Sequence, residues 1–348
     1  WVRRGMDKVT LAHGAGGKET EELLEKLIFS RVEERLKKVE GGLGIDIPDD
    51  GAAIPLPGGG YLVVSIDSYT VNPPFFPGGD IGKLAACGSI NDVLMMGAKP
   101  VAMLNSIVVE EGFPMDDLNR IVDSLLSTLK SEGVATIGGD FKVMPRGSID
   151  KVVITTTGIG VADRLIVDKN VKEGDAIIVS GYVGDHGATI LALQQGIEIE
   201  GELKSDVAPL TKLMIPLLEK YGEYIHAARD PTRGGLSMTL NDWARDSGTV
   251  IVVEASKIPV RRQVEAYAGM LGIDPLHLAS EGVAVLAVDR RVAEEILDFI
   301  KNLGYGDAAI IGEARKSRKY KGLVLYRSEV GGLKILEPPS GELVPRIC

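Results

Sequence analysis

Short β-branched runs alternate with amphipathic helical patterns along the chain, and this alternation constrains the fold more than any other feature. An apolar run at residues 61–66 predicts a strand, and Asp80 begins a predicted helix; the alternation resumes near Arg164. Because 348 residues exceed the ~100–200 of one typical domain, two domains are expected. The sequence predicts an α/β (α+β) protein with an N-terminal domain over residues 1–163, a C-terminal domain over 164–336 and a flexible tail over 337–348.

Three local patterns in the first half predict where individual elements begin and end. Apolar residues recur on one helical face between residues 23 and 36, which favours a helix there. Asp67 directly follows the strand at 61–66, so its carboxylate is expected at the strand's end. Residues 134–137 predict a short strand that ends in a Gly-Gly-Asp loop at 138–140. Polar groups at strand ends are more typical of a ligand site than of packing.

The charge balance and the cysteine count exclude several classes of protein. A net charge of −10 and a pI near 5.1 disfavour nucleic acid or an anionic membrane as a partner. No apolar run approaches 18 residues, so a membrane span is not expected. Two cysteines, Cys87 and Cys348, form no metal-binding or disulfide spacing. Such sparse use of cysteine fits a reducing cytoplasm, where we expect this chain.

The tail ends in a cysteine at the last position of the chain. Three prolines and a glycine between Glu337 and Cys348 disfavour a helix and favour an extended run. Twelve extended residues reach about 40 Å. Two interpretations are open at this point: a frayed terminus that happens to end in cysteine, or a tether that delivers a thiol to a distant site. Cys87, in an apolar stretch, is most simply a small buried residue.

Aspartates with small neighbours recur in the N-terminal half. Asp50, Asp67, Asp92 and Asp140 all stand near glycine, serine or asparagine. Carboxylates with substrate phosphates commonly hold Mg²⁺, and glycine lets backbone N–H groups approach phosphate. Aspartates also cap helices and turns, and each residue alone fits that role as well. The group points to a nucleotide–Mg²⁺ site without a Walker loop, with capping as the alternative.

Several longer motifs resemble one protein family. They are Asp50-Gly51-Ala52-Ala53, the run from Phe75 to Leu84, Asn91-Asp92, Gly138-Gly139-Asp140, the run from Asp230 to Gly235 and the terminal Pro345-Arg346-Ile347-Cys348. Together they resemble the HypE family of hydrogenase maturation proteins, in the superfamily of aminoimidazole ribonucleotide synthetase and selenophosphate synthetase. The resemblance extends from Met6 to Cys348.

This resemblance implies a fold, a quaternary structure and a set of ligands. It implies a homodimer formed through the N-terminal sheet, ATP bound across the interface and a second α/β domain over the site. By motif match, the implied ATP-binding residues are Asp50, Asp67, Asn91, Asp92, Gly138, Gly139, Asp140, Asp230, Thr232 and Arg233, and the implied Mg²⁺ ligands are Asp50, Asp67, Asp92 and Asp230.

The resemblance also implies an enzyme, an ATP-dependent carbamoyl dehydratase, and three partners. The carbamoyltransferase HypF places a carbamoyl group on the Cys348 sulfur, dehydration gives a thiocyanate, and the HypC–HypD complex accepts the cyanide for iron. One alternative is another ATP-using synthetase or kinase of the superfamily. The other is a non-catalytic carrier of a group on Cys348.

The dehydration needs a base within hydrogen-bond reach of the amide nitrogen, and three residues are candidates. Lys142 serves equally well as a phosphate cation. His226 fits an ordinary histidine at the end of a helix. Glu281 also fits as a cap or as a partner of Arg233.

Overall fold

The computed structural model describes residues 8–199, 201, 203–328, 331–341 and 348. The helices are α1 (Lys18–Leu24), α2 (Ile81–Met95), α3 (Met115–Glu132), α4 (Asp185–Gln194), α5 (Thr211–Tyr221), α6 (Gly235–Ser247), α7 (Arg262–Leu271) and α8 (Ala293–Asn302). The strands are β1 (Ala52–Pro55), β2 (Tyr61–Tyr69), β3 (Phe75–Phe76), β4 (Gly79–Asp80), β5 (Lys99–Glu110), β6 (Ala135–Met144), β7 (Val152–Ala162), β8 (Ala176–Val179), β9 (Ile225–Arg229), β10 (Val250–Glu254), β11 (Val285–Val288), β12 (Ala309–Arg315), β13 (Val324–Arg327) and β14 (Leu333–Ile335).

The N-terminal half forms a five-stranded sheet in the order β1-β2-β7-β5-β6. Its pairs are antiparallel except for β5 and β6, which run parallel. Helices α2 and α3 cover one face, toward which Gly158 and Gly160 of β7 point. On the opposite face, Ile66 and Leu104 flank Thr157 in one row and are exposed. The sheet therefore has one packed face and one open apolar face.

Helix α2 lies at the centre of the molecule. Asp80 caps its first turn, because its Oδ1 accepts hydrogen bonds from the backbone N–H groups of Gly82 (2.8 Å) and Lys83 (3.0 Å). A Cβ at Gly82 would lie 2.0 Å from the carbonyl oxygen of Ile121, so glycine permits close packing on α3. On its other side, α2 contacts α5 and β9 of the C-terminal half. Asn91 and Asp92 of α2 consequently lie between the two halves of the chain.

The C-terminal half forms a seven-stranded mixed sheet in the order β14-β13-β10-β12-β8-β11-β9. Alternate residues of β8 enter different cores: Ile177 and Val179 pack with Trp243 of α6, whereas Ile178 packs with Ile296 of α8. Because both faces of the sheet are covered there, strands β8 and β11 are apolar and buried at every position. The two α/β halves predicted from the sequence are confirmed. Among the described helices, none combines the length and the apolar character needed to cross a bilayer.

Three local predictions differ from the structure. The helical pattern at 23–36 is interrupted: α1 ends at Leu24, a π-helical turn continues to Phe29, and most of the apolar side chains remain exposed. Asp67 lies inside β2, which continues to Tyr69 rather than ending before it. Residues 138–142 belong to β6, because Gly138 and Gly139 pair in parallel with β5 instead of forming a loop. Of the tail, residues 342–347 lie outside the described part of the chain.

Candidate functional site

Three carboxylates from different parts of the chain meet between the two halves. Asp50 precedes β1, Asp92 lies in the last turns of α2, and Asp230 directly follows β9. One oxygen from each lies within 4.8 Å of the others. The position of α2 between the halves brings this acidic cluster together, so it forms only when the halves pack. A hard divalent cation prefers oxygen ligands of this type.

The electrostatics of the acidic cluster favour such a cation. Burial raises the pKa of Asp50 and of Asp92 well above the usual carboxyl range, and neighbouring carboxylates raise the pKa of Asp92 further. Burial, with the charge of Asp67, raises the pKa of Asp230 to about 7. Within the described chain, Asp50 Oδ2 and Asp230 Oδ2 are buried and have no hydrogen-bond partner. Since unpaired buried carboxylates are costly, a bound cation would satisfy both groups.

Arg229 ties the acidic cluster to its surroundings. Its guanidinium lies 3.1 Å from Asp50 Oδ1, 2.7 Å from Asp168 Oδ2 and 2.9 Å from Asp242 Oδ2. Asp50 belongs to the N-terminal half and Asp242 to α6 of the C-terminal half, so the guanidinium of Arg229 bridges the two halves. Both Arg229 and Asp168 are missed by the sequence analysis. Arg229 directly precedes the motif that begins at Asp230, and an arginine next to that aspartate is a usable signal.

The C-terminal cysteine lies beside the acidic cluster. Thr70 holds it, because the Thr70 backbone N–H and Oγ1 donate to one main-chain oxygen of Cys348 at 2.9 and 3.1 Å. Cys348 lines a cavity of about 20 Å³, room for about one water. The other lining residues are Asp67, Ser68, Tyr69, Gly88, Asp92, Thr232, Arg233 and Glu281. We call Cys348 and these eight residues the thiol pocket. One of them, Asp92, also belongs to the acidic cluster.

Charged side chains surround the thiol. Burial raises the pKa of Cys348 to about 12 even though Arg233 opposes this shift, so the free thiol is neutral at pH 7. Arg233 also lies 3.9 Å from Asp67. Glu281 is 1% exposed, and its Oε1 has no hydrogen-bond partner among the described residues. Burial raises the pKa of Glu281 well above the usual carboxyl range, and neighbouring carboxylates add to the effect. Thr70 was not found from the sequence, which gives it no distinguishing motif.

Four predicted polar site residues make contacts elsewhere in the described chain. Asn91 is buried in α2, where its Nδ2 donates to the carbonyl oxygens of residues 208 and 281 and its Oδ1 accepts from the N–H of residue 210. Asp140 and Lys142 form an ion pair of 2.9 Å on the exposed strand β6. His226 Nδ1 lies 2.9 Å from Asp175, at the opposite end of β9 from Asp230.

These contacts change how the four residues are interpreted. The amide of Asn91 joins the two halves of the chain, and its contact with phosphate or nucleotide stays a prediction. Asp140 and Lys142, with Gly138 and Gly139, lie on a sheet edge rather than in a loop over the acidic cluster. These four residues could approach a bound ligand only on a second copy of the chain. The dimer that the resemblance implies would provide that copy.

Two family models match most of the chain. They are AIR synthase related protein, N-terminal domain, over residues 48–162, and AIR synthase related protein, C-terminal domain, over residues 172–324. A putative hydrogenase expression/formation protein of Methanocaldococcus jannaschii is 44% identical over 344 residues, which cover 98% of this chain and 100% of the relative. The carbamoyl dehydratase HypE of Cupriavidus necator is 39% identical, over 98% of this chain and 95% of the relative.

Solved structures give the same family. A chain of a HypE–HypF complex is 39% identical, has a TM-score of 0.82, and the match covers 91% of this chain and 99% of that one. A HypE solved in complex with ATP is 37% identical, has a TM-score of 0.79, and covers 98% of this chain and 100% of that one.

Proposed function

The chain belongs to the HypE family of hydrogenase maturation proteins, within the AIR synthase related proteins, and we propose that it is an ATP-dependent carbamoyl dehydratase acting on its own C-terminal cysteine. The carbamoyl group is carried as a thiocarboxamide on Cys348 Sγ and is converted to a thiocyanate, whose cyanide supplies the iron of NiFe hydrogenase. The observation that carries this proposal is the location of Cys348 in a pocket shared with Asp92 and Glu281.

The reaction uses the γ-phosphate of ATP to remove the oxygen atom of the thiocarboxamide. The thiocarboxamide oxygen attacks the γ-phosphorus of ATP and displaces ADP. The same oxygen then leaves the carbon as part of inorganic phosphate. The nitrogen loses both protons as the C≡N bond forms. Such a phosphoryl transfer depends on positioning and on neutralisation of charge. Asp50, Asp92 and Asp230 are the residues that would hold Mg²⁺, which supplies that neutralisation when bound.

Glu281 is the residue best suited to accept an amide proton. Burial raises the pKa of Glu281, so its carboxylate, when ionised, is a stronger proton acceptor than an exposed one. Glu281 lines the same pocket as Cys348, and its Oε1 has no partner among the described residues. Lys142 and His226 instead have carboxylate partners away from the thiol within the described chain. The role of Arg233 in this scheme is to orient the carried group beside Glu281.

Mass spectrometry of the C-terminal peptide tests the proposed reaction. Incubation of the full chain with carbamoyl phosphate, ATP and the partner carbamoyltransferase is expected to add one carbamoyl group to the peptide that contains Cys348. Further turnover with Mg²⁺ and ATP is expected to remove the mass of one water and leave a thiocyanate. A carbamoylated Cys348 that never loses water, or a carbamoyl group elsewhere, would contradict the proposal.

We further propose a homodimer formed through the open face of the N-terminal sheet. Ile66 is 67% exposed, and Leu104 and Val161 on the same face are also exposed. An apolar sheet face of this kind is typical of a surface that pairs with another copy. The same face carries Asp140 and Lys142, so dimerisation would bring them beside a neighbouring subunit.

An Ile66→Asp variant is expected to be monomeric. Burying an isoleucine stabilises an interface by ~1.5–3 kcal/mol, and two-fold symmetry doubles the loss, so the dimer dissociation constant should rise about 10²- to 10⁴-fold. Light scattering at micromolar concentration measures this. Met270→Asp is the matched control, because Met270 is similarly exposed on α7 of the other half. A wild-type monomer would contradict the homodimer, and an Ile66→Asp dimer would exclude this face.

The proposed partners follow from the carried group. A relative was solved in a complex with HypF, and we extend to this chain a HypF partner that donates the carbamoyl group. A HypC–HypD complex is the proposed acceptor of cyanide. A reducing compartment such as the cytoplasm keeps the Cys348 thiol free for these transfers.

A further inference from the structure

The base of the tail is held on helix α6. Ser237 Oγ donates a hydrogen bond of 2.8 Å to the carbonyl oxygen of Glu337, and Asn241 Nδ2 donates one of 3.0 Å to that of Leu336. The chain thus leaves the C-terminal half at a fixed point, eleven residues before the terminal cysteine. With this attachment alone, residues 338–348 would form the tether.

A second attachment comes from the N-terminal segment. The backbone N–H of Gly341 lies 3.2 and 3.3 Å from the two carboxylate oxygens of Glu19 on α1. A Cβ at Gly17 would lie 2.7 Å from the carbonyl oxygen of Pro339, so glycine lets α1 approach the tail. Helix α1 is itself fixed to α6, because Arg245 lies 3.2 Å from Glu21.

The same N-terminal segment contacts the thiol pocket. Gly16 has a φ of +77°, and a Cβ there would lie 2.4 Å from the Cβ of Arg233. The segment therefore packs on Arg233 at one point and, through Glu19, holds the tail at another. This packing accounts for Gly16 and Gly17, and the sequence around them does not match a phosphate-binding loop.

We propose that Glu19 is a positioning residue that fixes Gly341 and so restricts Cys348 to its pocket. Six residues, 342–347, then separate the attachment from the cysteine. Shortening a tether from eleven residues to seven raises the effective concentration of its end about twofold, before any gain from ordering the tail. Release from Glu19 would lengthen the reach of the thiol toward other proteins. The inference rests on the proposed function for its purpose, but the restraint itself does not depend on any activity.

The reactivity of the thiol measures the restraint directly. Full-length protein without ATP is treated with iodoacetamide, and the rates of alkylation of Cys348 and Cys87 are followed by peptide mass spectrometry. Glu19→Ala is expected to speed alkylation of Cys348 by two- to tenfold. Glu19→Gln keeps one acceptor oxygen and should fall between Glu19→Ala and wild type. Glu22→Ala is the matched control, since Glu22 lies on the same helix and pairs with Lys18.

Cys87 separates release of the tail from unfolding. It is fully buried in α2, so a folded variant leaves it unreactive. Equal rates at Cys348 in Glu19→Ala and Glu22→Ala would overturn the proposal, as would parallel increases at both cysteines. In single-turnover dehydration of carbamoylated protein, Glu19→Ala should lower the maximal rate. It should not change the ATP concentration that gives half of that rate. If wild type never dehydrates the group, the proposed function fails while the alkylation result stands.

Discussion

In the presence of Mg²⁺, an Asp92→Asn variant is expected to turn over ATP about 10²- to 10³-fold more slowly than wild type. A loss of this size is usual when one preorganised electrostatic group is removed from an active site. The side chain lies in the acidic cluster and in the thiol pocket at once. Asparagine has nearly the same shape and can accept the 2.6 Å hydrogen bond that Ser65 Oγ donates to Asp92 Oδ2. The loss should therefore reflect charge rather than packing.

The same substitution is expected to stabilise the metal-free protein. Burial raises the folded-state pKa of Asp92, so the folded state binds more protons than the unfolded state. Stability of the metal-free protein consequently falls as pH rises from the ordinary carboxyl range through the raised pKa. The Asp92→Asn substitution removes the contribution of Asp92 to this dependence and should raise the melting temperature at pH 8 by a few degrees, at about 1–2 °C per kcal/mol for a chain of this length.

Calorimetry with and without Mg²⁺ distinguishes these effects. Mg²⁺ is expected to raise the melting temperature of wild type and to have little effect on Asp92→Asn, because binding to the folded state alone stabilises it. Asp116→Asn, an exposed residue in the first turn of α3, is the control and should match wild type. Normal ATP turnover in a folded Asp92→Asn protein would exclude a role for Asp92 as a ligand.

The elements predicted well from sequence are those whose signals are local. Asp80 gives a capping residue, and the apolar stretch after it gives α2. Asp67 was misplaced because a polar pair after an apolar run looks like a strand end. In the structure, Ser68 Oγ bonds Thr155 Oγ1 on the neighbouring strand, so pairing continues. The sequence predicts a loop at Gly138 and Gly139 for a similar reason: glycine signals a turn locally, and only pairing with β5 makes them part of a strand.

The contacts of the site depend on distant parts of the chain. The sequence groups Asp92 with the other aspartates as a candidate ligand, but it does not reveal the contacts of its neighbour Asn91. The partner of Asn91 Oδ1 is a backbone N–H 119 residues away, which no periodicity encodes. Thr70 likewise contacts the carbonyl of Cys348 across 278 residues. The grouping of Asp50 with Asp230 follows from packing of the halves, and their role as ligands stays a prediction.

Replacing Cys348 with alanine is expected to abolish both carbamoylation and water loss. No other described thiol can substitute, since Cys87 is fully buried and burial raises its pKa. The Cys348→Ala protein should still bind ATP, because the acidic cluster lies outside the substituted residue. Cys87→Ala is the matched control and should retain both steps. Carbamoylation of Cys348→Ala at any position would show that the sulfur is not the carrier.

Extending the chain beyond Cys348 should separate the two steps. Thr70 binds the terminal carbonyl oxygen, and the cavity beside the cysteine has room for about one water. A Gly-Ser extension is larger than this cavity, so we expect it to shift the cysteine from its observed position. We expect the partner enzyme still to carbamoylate this variant, because the thiol remains on the tail. Dehydration should slow by at least about 10²-fold, as misplacement by ~1 Å can cause a loss of that size.

Peptide masses taken before and after addition of Mg²⁺ and ATP measure both steps. Rapid water loss from the extended chain would mean that the pocket holding Cys348 is not where dehydration occurs.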